Sequence, residues 1–140
     1  MKYQKYVFFL GSLVLLLVSG CGGGGSGGTS VSPVPAGQFG SIATQTTSSG
    51  VMAVSSGNQT QSLANADAIA KCQALAVVAA QCFVRQEFSG IGQCGAVARG
   101  ANNIIGWGIG SPISQAEASA VADCKTRGGT SCASIQSQCN

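Results

Sequence analysis

The chain has no histidine, a single tryptophan and only four carboxylate side chains in 140 residues. Without imidazole, the usual proton carrier near neutral pH and the commonest zinc ligand are both missing. The seven Lys and Arg residues are scattered, and two of them, Lys2 and Lys5, sit at the very start. No basic stripe interleaved with aromatics points to nucleic acid. No C-x-x-C pair occurs and histidine is absent, so no metal site is expected; no motif for a cofactor is assigned either. Long apolar runs are lacking too. Val7 to Val18 covers about 12 residues, short of the roughly 20 that a membrane-spanning helix requires.

That short run is nevertheless informative. Lys2 and Lys5 precede it, and Leu17-Val18-Ser19-Gly20-Cys21 ends it. Basic residues, a brief apolar stretch and small residues before a cysteine resemble a bacterial lipoprotein signal. The resemblance implies cleavage before Cys21 and lipidation of Cys21, with stable attachment through more than one acyl chain. Gly22 after the cysteine implies, by analogy with lipoprotein sorting, an outer-membrane address, facing the periplasm or the surface. A spanning anchor and an ordinary secretory cleavage near Gly20 are the competing readings. Residues 21–37 follow as an uncharged Gly/Ser/Thr/Val/Pro stretch, which reads as a flexible tether. The expected division is therefore a leader over 1–20, the lipidated cysteine and tether over 21–37, and a globular domain over 38–140.

The globular part holds six cysteines: Cys72, Cys82, Cys94, Cys124, Cys132 and Cys139. In an oxidising envelope an even count reads as a disulfide framework. It also contains a duplication. Gly40-Ser-Ile-Ala43 matches Gly95-Ala-Val-Ala98, Ser62 to Cys72 matches Ser114 to Cys124, and Cys82-Phe-Val aligns with the residues from Cys132. The expected fold is α+β: two β-β-α-β units, 38–90 and 91–140, making one disulfide-stapled domain of antiparallel sheet and helices. Ser48-Ser49-Gly50 and Ala101-Asn102-Asn103 mark the hairpin turns. Ser114 with Glu117 predicts a capping box at the second helix, and Ser62 is the matching N-cap. Arg127-Gly128-Gly129 predicts that helix's end, whereas residues 73–80 could prolong the first. Six cysteines allow 15 pairings. Symmetry favours Cys72–Cys82, Cys124–Cys132 and Cys94–Cys139; a scheme with Cys82–Cys94 and Cys132–Cys139 is the alternative.

Phe39-Gly-Ser-Ile-Ala43, Cys94-Gly-Ala-Val-Ala98, Gly106-Trp-Gly108 and Ser114-Gln-Ala-Glu-Ala118, with the paired cysteines, resemble a bacterial family known only as domain of unknown function 4189. The likeness covers about residues 39–139. It implies a small secreted or lipid-anchored protein and no established activity. By this alignment Ala53-Val54-Ser55 stands where the second unit has Ile105-Gly106-Trp107.

The ionisable groups read as structural. Asp67 precedes Lys71, and Asp123 precedes Arg127, at helical spacing; Glu87 and Arg85 are placed to pair on one strand face. No catalytic residue is assigned, although a weak cell-wall hydrolase centred on Glu87 is one alternative. The candidate contact surface is Trp107 within Gly106-Trp-Gly-Ile-Gly110, with Arg99, Asn102 and Asn103, and Ile91 and Gly92 at its rim. Tryptophan is over-represented at binding hot spots; packing in the core is its other reading. The expectation is a non-enzymatic envelope module that binds a protein or wall component, with an inhibitor or immunity lipoprotein as its concrete version. A self-associating surface lipoprotein is the alternative from another class.

Overall fold

The computed structural model describes residues 37–45, 50–78 and 81–140. The leader, Cys21, the tether to residue 36 and most of the first hairpin turn lie outside the described residues.

Short strands form where β-branched Ile42, Val54 and Val97 sit between small residues. Phe39–Gln45 is β1, Met52–Asn58 is β2 and Cys82–Ser89 is β3; Cys94–Arg99 is β4, Ile105–Gly110 is β5 and Ala133–Cys139 is β6. The helices are α1, Gln61–Leu75, and α2, Ile113–Thr126. Each unit makes its own antiparallel sheet, in the order β2-β1-β3 and β5-β4-β6. The α+β fold and its duplication are thus present as two three-stranded sheets, each carrying one helix.

Period-2 alternation sorts the strand residues into two layers. Ala43, Ala53 and Cys82 face α1, whose Ala64, Ala68 and Cys72 stack at intervals of four. Ile42, Met52, Val54 and Phe88 face the other way and meet Val97, with Ile105, Trp107 and Ile109 packed against them. Cys94, Ala96 and Ala98 then face Ala116, Ala120 and Cys124 of α2. The layers run helix, sheet, sheet, helix, and the larger apolar side chains lie between the sheets.

The helix–sheet contacts are close because the fully buried side chains between them are alanine methyls and disulfide sulfurs, with Val51, Ile69 and Val121 packed partly buried against them. On β5 even the methyl is gone. A Cβ on Gly106 would collide with the backbone of Ala120 and Cys124, and one on Gly108 or Gly110 would crowd the amide nitrogens of Ala120 or Ala116. Glycine is required at these positions by the approach of α2, while Ile105, Trp107 and Ile109 alternate with them toward the other sheet.

The same irregularity occurs in both units. Ile42 and Ala43 pair with Gln86 and Val84, leaving Arg85 as the extra residue. Val97 and Ala98 pair with Gln136 and Ser134, leaving Ile135 extra. Such a bulge reverses the side-chain parity of a strand. It lets Cys82 face α1 while Phe88, an even number of positions later, enters the space between the sheets.

Three disulfides join Cys72 to Cys82, Cys124 to Cys132 and Cys94 to Cys139, the scheme that symmetry favours over its alternative. The first two tie each helix to the strand that follows it. The third links residues that lie directly opposite across β4 and β6.

Some local expectations are corrected. Thr60, not Ser62, caps α1, its Oγ1 accepting from Leu63 N at 3.2 Å. Helix α2 starts after Pro112 without a side-chain cap, so Ser114 lies inside the helix and no capping box forms. Glu117 instead accepts from Ser137 Oγ at 2.7 Å. Helix α1 stops at Leu75, because the Cys72–Cys82 link turns the chain back toward β3.

The candidate functional site

Sheet pairing fixes how the two copies superpose. Val97 is opposite Trp107 as Ile42 is opposite Val54. Trp107 therefore corresponds to Val54, one position from the register read in the sequence, and Gly106 corresponds to Ala53. The error has a physical origin: Ala53 and Gly106 face helices, so their small side chains carry little signal for alignment.

Trp107 is half-buried between the sheets at the edge of its own sheet, where β3 and β5 form a seam. The Arg127 guanidinium stacks on its ring at 3.8 Å from the centroid, and that of Arg85 lies at 5.9 Å. Arg85 is also 6.0 Å from the Phe83 ring, and Phe83 is 48% exposed. Arginine over an aromatic face is attracted by the ring quadrupole, most strongly over indole.

The cluster is held from beneath. Asp123 Oδ2 accepts from Arg127 Nε at 2.7 Å and from the Trp107 backbone N–H at 3.1 Å. One carboxylate thus satisfies an edge-strand donor and fixes the guanidinium above the indole. The bulge turns Arg85 aside from Glu87. Its Nε donates to Thr44 Oγ1 at 3.0 Å, and among the described residues it makes no ion pair. The expected Arg85–Glu87 pair is absent; Glu87 accepts from Asn65 Nδ2 at 2.6 Å. The other two expected pairs form, Asp67 with Lys71 at 2.7 Å and Asp123 with Arg127.

The duplication supplies an internal reference. At the opposite seam, between β2 and β6, the positions of Phe83, Arg85, Trp107 and Arg127 are taken by Ala133, Ile135, Val54 and Leu75. Of these only Val54 is buried; Leu75, Ala133 and Ile135 are exposed, and Ser56–Gln138 and Gly57–Asn140 hydrogen bonds cross that seam. The aromatic and guanidinium cluster of the β3–β5 seam therefore has no counterpart in the other seam.

The other sequence candidates have different surroundings. Asn102 donates to Gly128 O at 2.9 Å and accepts from Thr130 N at 3.2 Å, pinning the loop after α2. Asn103 takes φ 61° in the β4–β5 turn, a left-handed conformation that asparagine tolerates. Arg99 is exposed at the end of β4, beside Gly50. Arg99, Asn102 and Asn103 make a turn, and Trp107 belongs to the seam. Ile91 is exposed beside Gly92, whose N–H donates to Asn140 O. Sequence reasoning missed Phe83, and assigned Arg85 and Arg127 to ion pairs alone. The available signal was the contrast between copies, once their register is correct.

Farther along the same seam is an open cleft of about 380 Å³ lined by Gln61, Glu87, Phe88, Ser89, Gln93 and Ile109. Glu87 is the one carboxylate in its lining. Ordinary glycoside hydrolysis uses two, flanking the bond to be broken. Among the described residues no group of three His, Cys, Asp or Glu side chains is placed to hold a metal ion.

The family described as "Domain of unknown function (DUF4189)" matches residues 39–139. No curated protein and no solved structure matches the chain. With the match spanning both sheets, both helices and all three disulfides, the chain belongs to the DUF4189 family.

Proposed function

We propose that this protein is a lipid-anchored component of the bacterial cell envelope that binds another macromolecule without transforming it. Cys21 is the lipidation site and an outer-membrane location is the favoured address. The β3–β5 seam is the gripping surface. One observation carries this reading: the two seams of a duplicated fold differ, and only one presents Phe83, Arg85, Trp107 and Arg127. Arg85 leaves guanidinium donors without an acid partner, so the partner is expected to present a carboxylate there. An inhibitor or immunity role is the concrete version, with a secreted effector or wall enzyme as the target.

Capture from envelope fractions with the intact chain tests the reading. A partner held by the wild type and by Ile135→Ala, but reduced at least about tenfold by Arg85→Ala, supports it; a tenfold loss corresponds to about 1.4 kcal/mol. Equal capture by Arg85→Ala and wild type would count against this surface. Metabolic labelling with a fatty-acid analogue tests the anchor separately, and an unlabelled Cys21→Ser control is expected.

A further inference from the structure

The strands run between two unlike ends. Gly37, the start of β1 and the N-termini of both helices lie at one. At the other, β1 and β4 finish, and the chain that follows each helix is tied to them. Gln45 at the end of β1 donates through Nε2 to Val78 O at 3.1 Å, and Asn102 in the β4–β5 turn donates to Gly128 O at 2.9 Å. Arg99, the last residue of β4, lies beside Gly50 at the same end.

This second end gathers the cations. Lys71 and Lys125 lie in the C-terminal halves of the helices, Arg127 follows α2, and Arg85 lies in the first half of β3. With Arg99 they are every Lys and Arg after Lys5. Lys71 and Arg127 are paired with Asp67 and Asp123, whereas Arg99 and Lys125 are exposed and make no ion pair among the described residues. Glu87 and Glu117 lie toward the first end, opposite Ser41 of β1 and near the start of α2.

An aliphatic knob projects from the cationic end. Leu75 is 66% exposed, Val77 99% and Val78 51%, and no charged residue occurs between Lys71 and Arg85. The matching stretch of the second unit, Lys125 to Ser131, consists of Lys, Thr, Arg, Gly and Ser. Equivalent disulfides close both, so closure does not require aliphatic side chains. Exposed apolar residues standing singly are ordinary, but a group of them marks a contact.

Aliphatic groups beside unpaired cations suit the surface of an anionic bilayer, where apolar burial and attraction to lipid phosphates add. We infer that this end of the domain docks on an anionic lipid bilayer. Leu75, Val77 and Val78 enter the headgroup–acyl boundary, and Arg99 and Lys125 meet lipid phosphates. The inference rests on the proposed lipid at Cys21, which keeps the domain at a membrane. The roughly 16 residues from Cys21 to Gly37 span at most about 55 Å. The 7 residues of β1 cover about 23 Å, so that length suffices to turn the far end to the bilayer.

The test is fluorescence quenching by lipid. An environment-sensitive fluorescent amino acid is placed at Val77, or at Ile91, an exposed apolar residue of the other end. The full chain purified from cells is reconstituted in vesicles of phosphatidylethanolamine and phosphatidylglycerol with brominated acyl chains. Quenching at 77 and none at 91 is expected. It should be lost when Arg99→Glu and Lys125→Glu are combined, at unchanged melting temperature. It should also weaken between about 0.1 M and about 1 M salt, as the screening length falls from about 10 to about 3 Å. A chain that sediments with the vesicles but is unquenched at 77 overturns the inference, leaves the anchor standing and assigns the knob to a protein contact. Equal quenching at both positions, or quenching indifferent to salt and to the charge reversal, overturns it too. A chain that stays in solution overturns both the anchor and the inference.

Discussion

At the scale of single residues, the duplication writes two solutions to one problem. Asn65 on α1 donates to Glu87 on β3, and at the matching positions Glu117 on α2 accepts from Ser137 on β6. The carboxylate has moved from strand to helix while the bridge remains. Ser41 shows the same comparison as a defect: its buried Oγ has no partner among the described residues, and its counterpart is Ala96. Ser41→Ala should raise stability by about 1 kcal/mol, read as an increased denaturation midpoint at unchanged m-value. Asp67 gives a pH-dependent contribution. The Lys71 hydrogen bond first, then that of Ser55 at 2.6 Å, hold its carboxyl below the usual value of 3.8. A lowered folded-state pKa stabilises above the unfolded pKa and is lost as pH falls through the folded one. The acid limb of the melting-temperature curve, below about pH 4, should therefore flatten in Asp67→Asn. An unchanged limb would remove Asp67 from the account.

At the scale of elements, the helices are held by what their neighbours lack. Gly106, Gly108 and Gly110 admit α2 at backbone distance. Gly108→Val, although it adds strand propensity, should destabilise by about 3 kcal/mol or more through overpacking; thermal unfolding measures it, and a neutral result would refute close packing. The Ala periodicity, the helix stop at Gly128 and the β-β-α-β succession of elements within each unit were legible in the sequence; the placing of the first strand at the centre of each sheet was not. The glycine alternation was not, because Gly106-Trp-Gly-Ile-Gly110 read as an exposed contact surface and only the position of α2 shows its glycines to be a packing face. The capping box was misread for a related reason. Ser114 and Glu117 have the right spacing, but Ser137 on a distant strand claims the glutamate, and local spacing carries no record of that strand. Arg85 and Glu87 failed as a pair because a bulge cannot be read from alternation alone.

At the scale of the molecule, a core of small residues is stapled by three bridges. The links differ in the length of chain they close. Cys94–Cys139 spans a sequence separation of 45, whereas Cys124–Cys132 spans 8. In the chain-entropy description these correspond to about 4 and about 2.5 kcal/mol. Replacing both Cys94 and Cys139 with Ala should thus lower the denaturation midpoint more than replacing Cys124 and Cys132; the reverse order would contradict that description. The duplicated plan could be read from the chain because its cysteines, helices and first strands repeat. The site could not, since it lies where the copies differ, between strands from separate units.

The decisive measurement uses that difference directly. A photo-crosslinking amino acid placed at Phe83, on the seam proposed to bind, is compared in living cells with the same group at Ala133, its equivalent on the β2–β6 seam. One discrete adduct from position 83, diminished by Arg85→Ala and absent from position 133, is the predicted result. Equal adducts at both positions, or an adduct at 133 alone, would contradict the assignment of the Trp107 seam as the binding surface.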